Sequence, residues 1–179
     1  MLTAEGRCVI LPEQENWILI GMMGTGKSTV AELLAHKTGK RLVDLDAEIV
    51  KAAGCPIPEI FERQGEAVFR ELESVVLARL LEDKPLILAT GGGAVLNPDN
   101  CRLMLDKGWV VALKADADTI LKRVGEDSNR PLLAGGAKER ILRLLEERKK
   151  AYDFAHCTVD TSALEPEQVA AHILMLQRV

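Results

Sequence analysis

The sequence predicts an α/β fold, a parallel sheet covered by helices on both faces. Three observations predict it. Short apolar runs bounded by polar or glycine-rich breaks recur along the chain, amphipathic helical stretches separate them, and a glycine-rich turn joins the first run to the first helix. Runs this short and this apolar read as strands buried on both faces. Strands that alternate with helices form a parallel sheet, because each helix serves as the crossover.

The first strand is Trp17-Ile18-Leu19-Ile20, followed by a helix over roughly 26–38 in which Val30, Leu33 and Leu34 share one face. Arg41-Leu42-Val43-Asp44 is a weaker strand signal. A helix over roughly 65–82 leads to the strand Leu86-Ile87-Leu88-Ala89, and Val110-Val111-Ala112-Leu113 is the next strand. Helices are expected over roughly 116–124 and 137–152. In the second of these Ile141, Leu142, Leu144 and Leu145 form the apolar stripe, while Glu139 and Arg143 lie one turn apart on the other side. Cys157-Thr158-Val159 is a second weak strand, and a helix over roughly 166–177 ends the pattern. Between two helices lies Gly125-Glu-Asp-Ser-Asn-Arg-Pro-Leu-Leu-Ala-Gly-Gly136, a loop long enough to read as a lid. No repeat or linker divides the chain, so residues 17–179 are expected to form one domain. Residues 1–16 read as an N-terminal extension, a disordered arm or an additional contact.

Composition narrows the function classes. A length of 179 residues suits one domain with a sizeable core. The net charge of −4 leaves no basic excess for neutralising nucleic-acid phosphates. Cys8, Cys55, Cys101 and Cys157 are scattered, with neither a CxxC pair nor a metal-ligand spacing, and read as free thiols in a reducing compartment. No basic start followed by an apolar stretch marks a signal peptide in residues 1–16, and no apolar run approaches a membrane span. The expectation is a cytoplasmic protein with no nucleic-acid or membrane partner.

Gly21-Met-Met-Gly-Thr-Gly-Lys-Ser28 fits G-x-x-x-x-G-K-[ST], and it follows a strand and opens a helix, as that motif requires. Glycines let backbone N–H groups curl around a phosphate, and the helix N-terminus adds positive potential. Lys27 would reach the outer phosphates and Ser28 would offer a hydroxyl to Mg²⁺. Asp44-Leu45-Asp46 ends the second strand, where ligands of a doubly wound sheet bind. One carboxylate could serve the metal shell and the other an acceptor hydroxyl; the alternative is that either caps the helix beginning near Ala47.

Together with Ile57-Pro-Glu-Ile-Phe61, Gly65-Glu66, Phe69-Arg70-x-x-Glu73, Ala89-Thr-Gly-Gly-Gly93, Asn129-Arg-Pro-Leu-Leu133 and Arg148-x-x-x-Tyr152, these motifs resemble the shikimate kinase family. The resemblance runs from Trp17 to about Leu174. It implies a three-layer P-loop kinase fold like that of nucleoside-monophosphate kinases, with a central five-stranded parallel sheet, a substrate-binding segment over about 45–82 and a mobile lid over about 125–136. It also implies ATP as co-substrate, Mg²⁺ and transfer to the 3-hydroxyl of shikimate; a monomer is expected.

Site roles follow from the same resemblance. Lys27, Asp46 and Arg130 would be catalytic. Gly24, Thr25, Gly26, Lys27, Ser28 and Thr29 would bind the nucleotide phosphates along with Arg130, while Arg123 and Pro166 would sandwich the adenine. Asp46, Arg70, Gly91, Gly92, Gly93 and Arg148 would bind the acceptor, the two arginines gripping its carboxylate bidentately. Ser28 and Asp44 would serve the metal. Ile57, Phe61 and Phe69 suit either a pocket wall or the core, and Pro166 could simply start the last helix. Leu164-Glu165 departs from the polar or basic residues common before that proline. A kinase for another polyol acid, such as gluconate, would share the phosphate loop without the FRxxE, TGGG and RPLL segments together. A non-catalytic nucleotide-binding module would lack the catalytic groups that this chain retains.

Overall fold

The computed structural model describes residues 15–82, 85–125 and 137–177. Five strands, β1 (Asn16–Gly21), β2 (Arg41–Asp44), β3 (Leu86–Ala89), β4 (Gly108–Lys114) and β5 (Cys157–Asp160), form one parallel sheet in the order β2-β3-β1-β4-β5. The chain order reverses on either side of β1, which puts the topological switch point at its carboxyl end. Among the described residues the helices are α1 (Lys27–Thr38), α2 (Leu45–Ala53), α3 (Ile57–Glu82), α4 (Pro98–Lys107), α5 (Ala117–Gly125), α6 (Ala137–Glu147) and α7 (Pro166–Gln177).

The period of two along each strand sorts the core into two layers. Ile18, Ile20, Leu86, Leu88, Val110 and Ala112 face one cluster, which α2, α3 and α4 cover with Ile49, Leu77, Leu81 and Met104. Trp17, Leu19, Ile87, Ala89, Trp109 and Val111 face the other, covered by α1 and α7 through Val30, Leu34, Val169 and Ile173. Each fully buried Leu or Ile contributes about 1.5–3 kcal/mol of transfer free energy. These two layers therefore fix the ends of the strands, from which the loops of the site emerge. A smaller cluster of Met22, Ile120, Val124 and Ile141 ties α5 and α6 to the loop after β1.

Several boundaries differ from expectation. β1 begins at Asn16, whose buried amide donates to Leu81 O (3.2 Å) and Lys107 O (2.9 Å), so the N-terminal extension stops one residue sooner. α2 follows β2 without a break, capped by Asp44. α3 is two segments: Gly65, at φ 81° and ψ 171°, a backbone state that favours glycine, breaks it, so the helix expected over 65–82 is its second segment and the segment from Ile57 precedes it. α4 lies outside the expected helices, although Asn97 caps it and Pro98 occupies its first turn. α6 stops at Glu147, and residues 148–155 continue as tight turns with bonds such as Ala151 N to Arg148 O. The expected lid over 125–136 lies outside the described residues apart from Gly125, which ends α5. Cys55, Cys101 and Cys157 are free, and burial pushes the Cys157 thiol up to about 11. That keeps it protonated and unreactive at neutral pH.

Candidate active site

The loop after β1 is shaped by its glycines. Gly24 and Gly26 adopt φ 76° and 88°, and a Cβ on Gly24 would lie 2.8 Å from Val124 Cγ2, so α5 can approach this closely only because position 24 has no side chain. A Cβ on Gly21 would strike the backbone, 2.3 Å from Leu113 O. Gly26 precedes α1 without a side-chain cap, and no acidic residue stands in the first turn. The helix thus turns its first-turn amides and the positive end of its dipole to this loop, the arrangement that binds phosphate. Thr25 is buried and donates its hydroxyl to Met22 O at 2.8 Å, while Lys27 Nζ crosses the loop to the same carbonyl at 2.9 Å. Ser28 and Thr29 are exposed at the mouth.

A cavity of about 750 Å³ opens from this loop, lined by residues 23–30, by Thr119, Lys122, Arg123 and Val124 of α5, and by Thr161–Pro166. Arg123 joins these walls. Its guanidinium donates to Gly24 O (3.4 Å), Thr161 Oγ1 (3.0 Å) and Thr161 O (2.8 Å). Thr161, which sequence reasoning missed, is buried and donates its own hydroxyl to Thr25 O at 3.1 Å. Its only sequence signal is a polar residue immediately after β5, at the strand end where ligands bind. Pro166 both starts α7 and lines the cavity, and Leu164 and Glu165 line it as well.

On the other side of the loop, the glycines after β3 are enclosed by charged side chains. A Cβ on Gly91 would lie 2.7 Å from Asp46 Oδ1 and 3.4 Å from Glu73 Oε1. One on Gly93 would lie 2.6 Å from Arg70 Nη1. At Gly92 a Cβ would meet only ordinary contacts of 3.5–3.6 Å, including Arg148 Nη1. Arg148 Nη1 donates to Gly92 O at 3.1 Å, and so does the Tyr152 hydroxyl at 2.9 Å. Asp46, Arg70 and Arg148, expected at the acceptor, are thus brought together on this one loop. Asp44 caps α2 by accepting from Ala47 N at 3.1 Å, the alternative that the sequence left open. Arg130 lies outside the described residues.

Glu73 and Tyr152 appear in the sequence motifs without an assigned role. Glu73 is 1% exposed and accepts from Arg70 Nη1 at 2.8 Å, while Glu66, on the surface, holds the other edge of the guanidinium at 3.2 Å. Burial pushes the Glu73 carboxyl above its ordinary value; the Arg70 bond and charge oppose this, and nearby Asp46 adds to it. Burial works to lower the Arg70 guanidinium, but its bonds and charge pairing with Glu73 and Glu66 raise it on balance. Arg70 also stands 5.1 Å from the centroid of Phe69, which is buried in the core, while Phe61 stacks on Phe69 from the half-exposed side. Ile57 packs against the same core and is partly buried.

The chain is similar to known proteins over nearly its whole length. The family model described as shikimate kinase matches residues 23–177. The shikimate kinase of Pelotomaculum thermopropionicum is 42% identical over 161 residues, covering 89% of this chain and 94% of that relative. The solved shikimate kinase from Acinetobacter baumannii, in complex with shikimate, superposes with a TM-score of 0.85 at 39% identity, over 90% of this chain and 92% of that one. A gluconokinase from Sinorhizobium meliloti superposes with a TM-score of 0.58 at 15% identity, a likeness of fold alone.

Proposed function

The chain belongs to the shikimate kinase family, an ATP-dependent kinase acting on shikimate, and we propose that the 3-hydroxyl is its acceptor and that Arg70 and Arg148 hold the acceptor's carboxylate. One observation carries the reading. Two arginines far apart in sequence converge on the Gly91–Gly93 loop beside Asp46, and a shared anionic ligand accounts for their meeting there. Guanidinium forks suit a planar carboxylate. Asp46, over Gly91, is placed to orient the attacking hydroxyl.

ATP occupies the 750 Å³ cavity in this reading. Its phosphates lie against the amides of residues 24–29 and its base lies toward Arg123 and Pro166. In-plane bonds from Arg123 to Gly24 and Thr161 use the guanidinium edge and leave its faces for stacking. Phosphoryl transfer has a loose transition state, so the protein's work is positioning and charge neutralisation. Lys27 and Arg130 supply positive charge where it develops. No cluster of three or more His, Cys, Asp or Glu gathers among the described residues. Mg²⁺ that shares nucleotide phosphates needs only one or two protein ligands. Ser28 and Asp44 fit that need, since capping α2 uses one Asp44 oxygen. The ion would supply neutralisation of the outer phosphates. No helix among the described residues is long and apolar enough to cross a membrane.

The test has two arms. A coupled ADP-release assay with ATP, Mg²⁺ and shikimate, quinate or gluconate should give turnover with shikimate foremost; turnover with gluconate alone would refute the reading. Calorimetric titration of Arg70→Ala and Arg148→Ala should show shikimate binding weakened about ten- to a hundredfold, since a hydrogen bond to a charged group is worth about 1.5–3 kcal/mol. An ATP analogue should bind both variants as it binds the parent. Unchanged shikimate affinity in both would remove the carboxylate grip.

A further inference from the structure

The carbonyl of Gly92 accepts two hydrogen bonds, from Tyr152 OH at 2.9 Å and from Arg148 Nη1 at 3.1 Å. A carbonyl oxygen has two acceptor positions, so this one is fully used. The two donors differ in how they are held. Tyr152 is 6% exposed and belongs to the core cluster under α2, α3 and α4, whereas Arg148 is half-buried and outside that cluster. Burial keeps the phenol above its ordinary value, so it stays a donor at neutral pH. Gly91 and Gly93 owe their lack of a side chain to Asp46, Glu73 and Arg70, but nothing crowds a Cβ at Gly92. What that residue contributes in this structure is its carbonyl.

We propose that Tyr152 is a positioning residue for acceptor binding: its hydroxyl holds the Gly92 carbonyl and thereby releases Arg148 to grip the acceptor. The proposal rests on the reading that Arg148 takes the acceptor's carboxylate. When the guanidinium turns to that carboxylate, the Tyr152 bond keeps the carbonyl paired and the glycine loop in place. Without the hydroxyl, Arg148 would be divided between the carbonyl and the ligand, and each bound shikimate would leave the partly buried Gly92 carbonyl unpaired.

Tyr152→Phe keeps the ring and its packing and removes the hydroxyl, which donates to Gly92 O and also faces the Arg148 guanidinium. It is expected to weaken shikimate binding about tenfold, equivalent to about 1.4 kcal/mol, raising KM for shikimate while leaving kcat and the affinity for an ATP analogue within about twofold. In an Arg148→Ala background there is no guanidinium to divide, so the same substitution should then change shikimate binding by less than about twofold. Unchanged shikimate affinity in Tyr152→Phe overturns the proposal. So does an equal loss for the ATP analogue, or the full tenfold loss persisting in the Arg148→Ala background. Normal shikimate binding by Arg148→Ala alone would instead refute the carboxylate reading underneath. A second measurement needs no substitution, because Tyr152 is the chain's single tyrosine. Incorporated fluorotyrosine should give one fluorine resonance that moves when shikimate saturates the protein, and a resonance that stays in place counts against the proposal.

Discussion

Glu73 meets two demands that oppose each other. Its carboxylate fixes the Arg70 guanidinium at 2.8 Å, yet it is buried to 1% exposure, and burial raises its affinity for a proton. A carboxyl whose folded value lies above its ordinary 4.5 stabilises the fold fully below that value and loses the contribution as pH rises through the folded value. Glu73→Gln removes this titration. The variant should therefore gain stability relative to the parent as pH rises from about 4 toward 7, while its affinity for shikimate falls because Arg70 loses its ionic partner. Urea midpoints across that range, with calorimetry for binding, check both signs; a constant difference in midpoint would show that Glu73 is not held at a raised value. Residue roles of this kind were only half legible in the sequence. Asp46, Arg70 and Arg148 could be named because their motifs carry them. Glu73 and Tyr152 stood inside the same motifs, but a residue that acts by holding another shows its purpose only when the Gly91–Gly93 loop is folded against it.

At the scale of elements, what was legible followed from apolar runs. β1, β3 and β4 lie where short hydrophobic stretches placed them, because a strand buried on both faces has few polar residues to blur its pattern. β2 and β5, the partly exposed edge strands, carry Arg41, Asp44, Thr158 and Asp160 and gave the weaker signals, though both lie where expected. Helices were harder wherever polarity hid the stripe. α2 runs directly on from β2, and α4 carries Asp99, Asn100, Arg102, Asp106 and Lys107 on a ten-residue span. α6 ends at Glu147, where the run Glu146-Glu-Arg-Lys-Lys150 replaces the apolar stripe. The start of β5 holds a further feature that no pattern could disclose. One residue before the strand, His156 donates its backbone N–H to Val110 O and accepts from Val110 N at Nδ1, both at 3.0 Å. The side chain thus extends the β4–β5 pairing. Burial lowers the His156 imidazole below its ordinary 6.5, and a proton on Nδ1 would abolish the acceptor. A lowered histidine contributes stability that is complete above 6.5 and is lost as pH falls through the folded value. His156→Asn retains an acceptor that does not titrate, so the parent should lose stability relative to this variant on acidification below about pH 6.5. Parallel denaturation curves at each pH would show that the imidazole does not carry this dependence.

Across the whole molecule, the sheet separates chemistry from structural reporting. Both tryptophans sit at the amino ends of the central strands, Trp17 opposite Trp109, edge to face with centroids 5.3 Å apart and 3% and 2% exposed. The phosphate loop and the Gly91–Gly93 loop leave the carboxyl ends of β1 and β3. At about 3.3 Å per residue, Trp17 lies about 13 Å along its strand from Gly21. Two layers of packed side chains connect these ends, and close packing leaves a ligand little freedom to alter the indole environment. Native tryptophan emission should therefore stay unchanged when shikimate or an ATP analogue saturates the protein. Its loss on heating should still report global unfolding, because both indoles belong to the sheet core. Each ligand binds the folded state, so at a hundred times its Kd it should add about 2.7 kcal/mol to stability and move the emission midpoint upward. The expected record is a shifted transition on an unshifted native baseline, with circular dichroism following the same curve. A ligand-dependent change in native emission would mean that binding at the carboxyl ends remodels the sheet as far as its amino edge, and that the two ends are not mechanically separate.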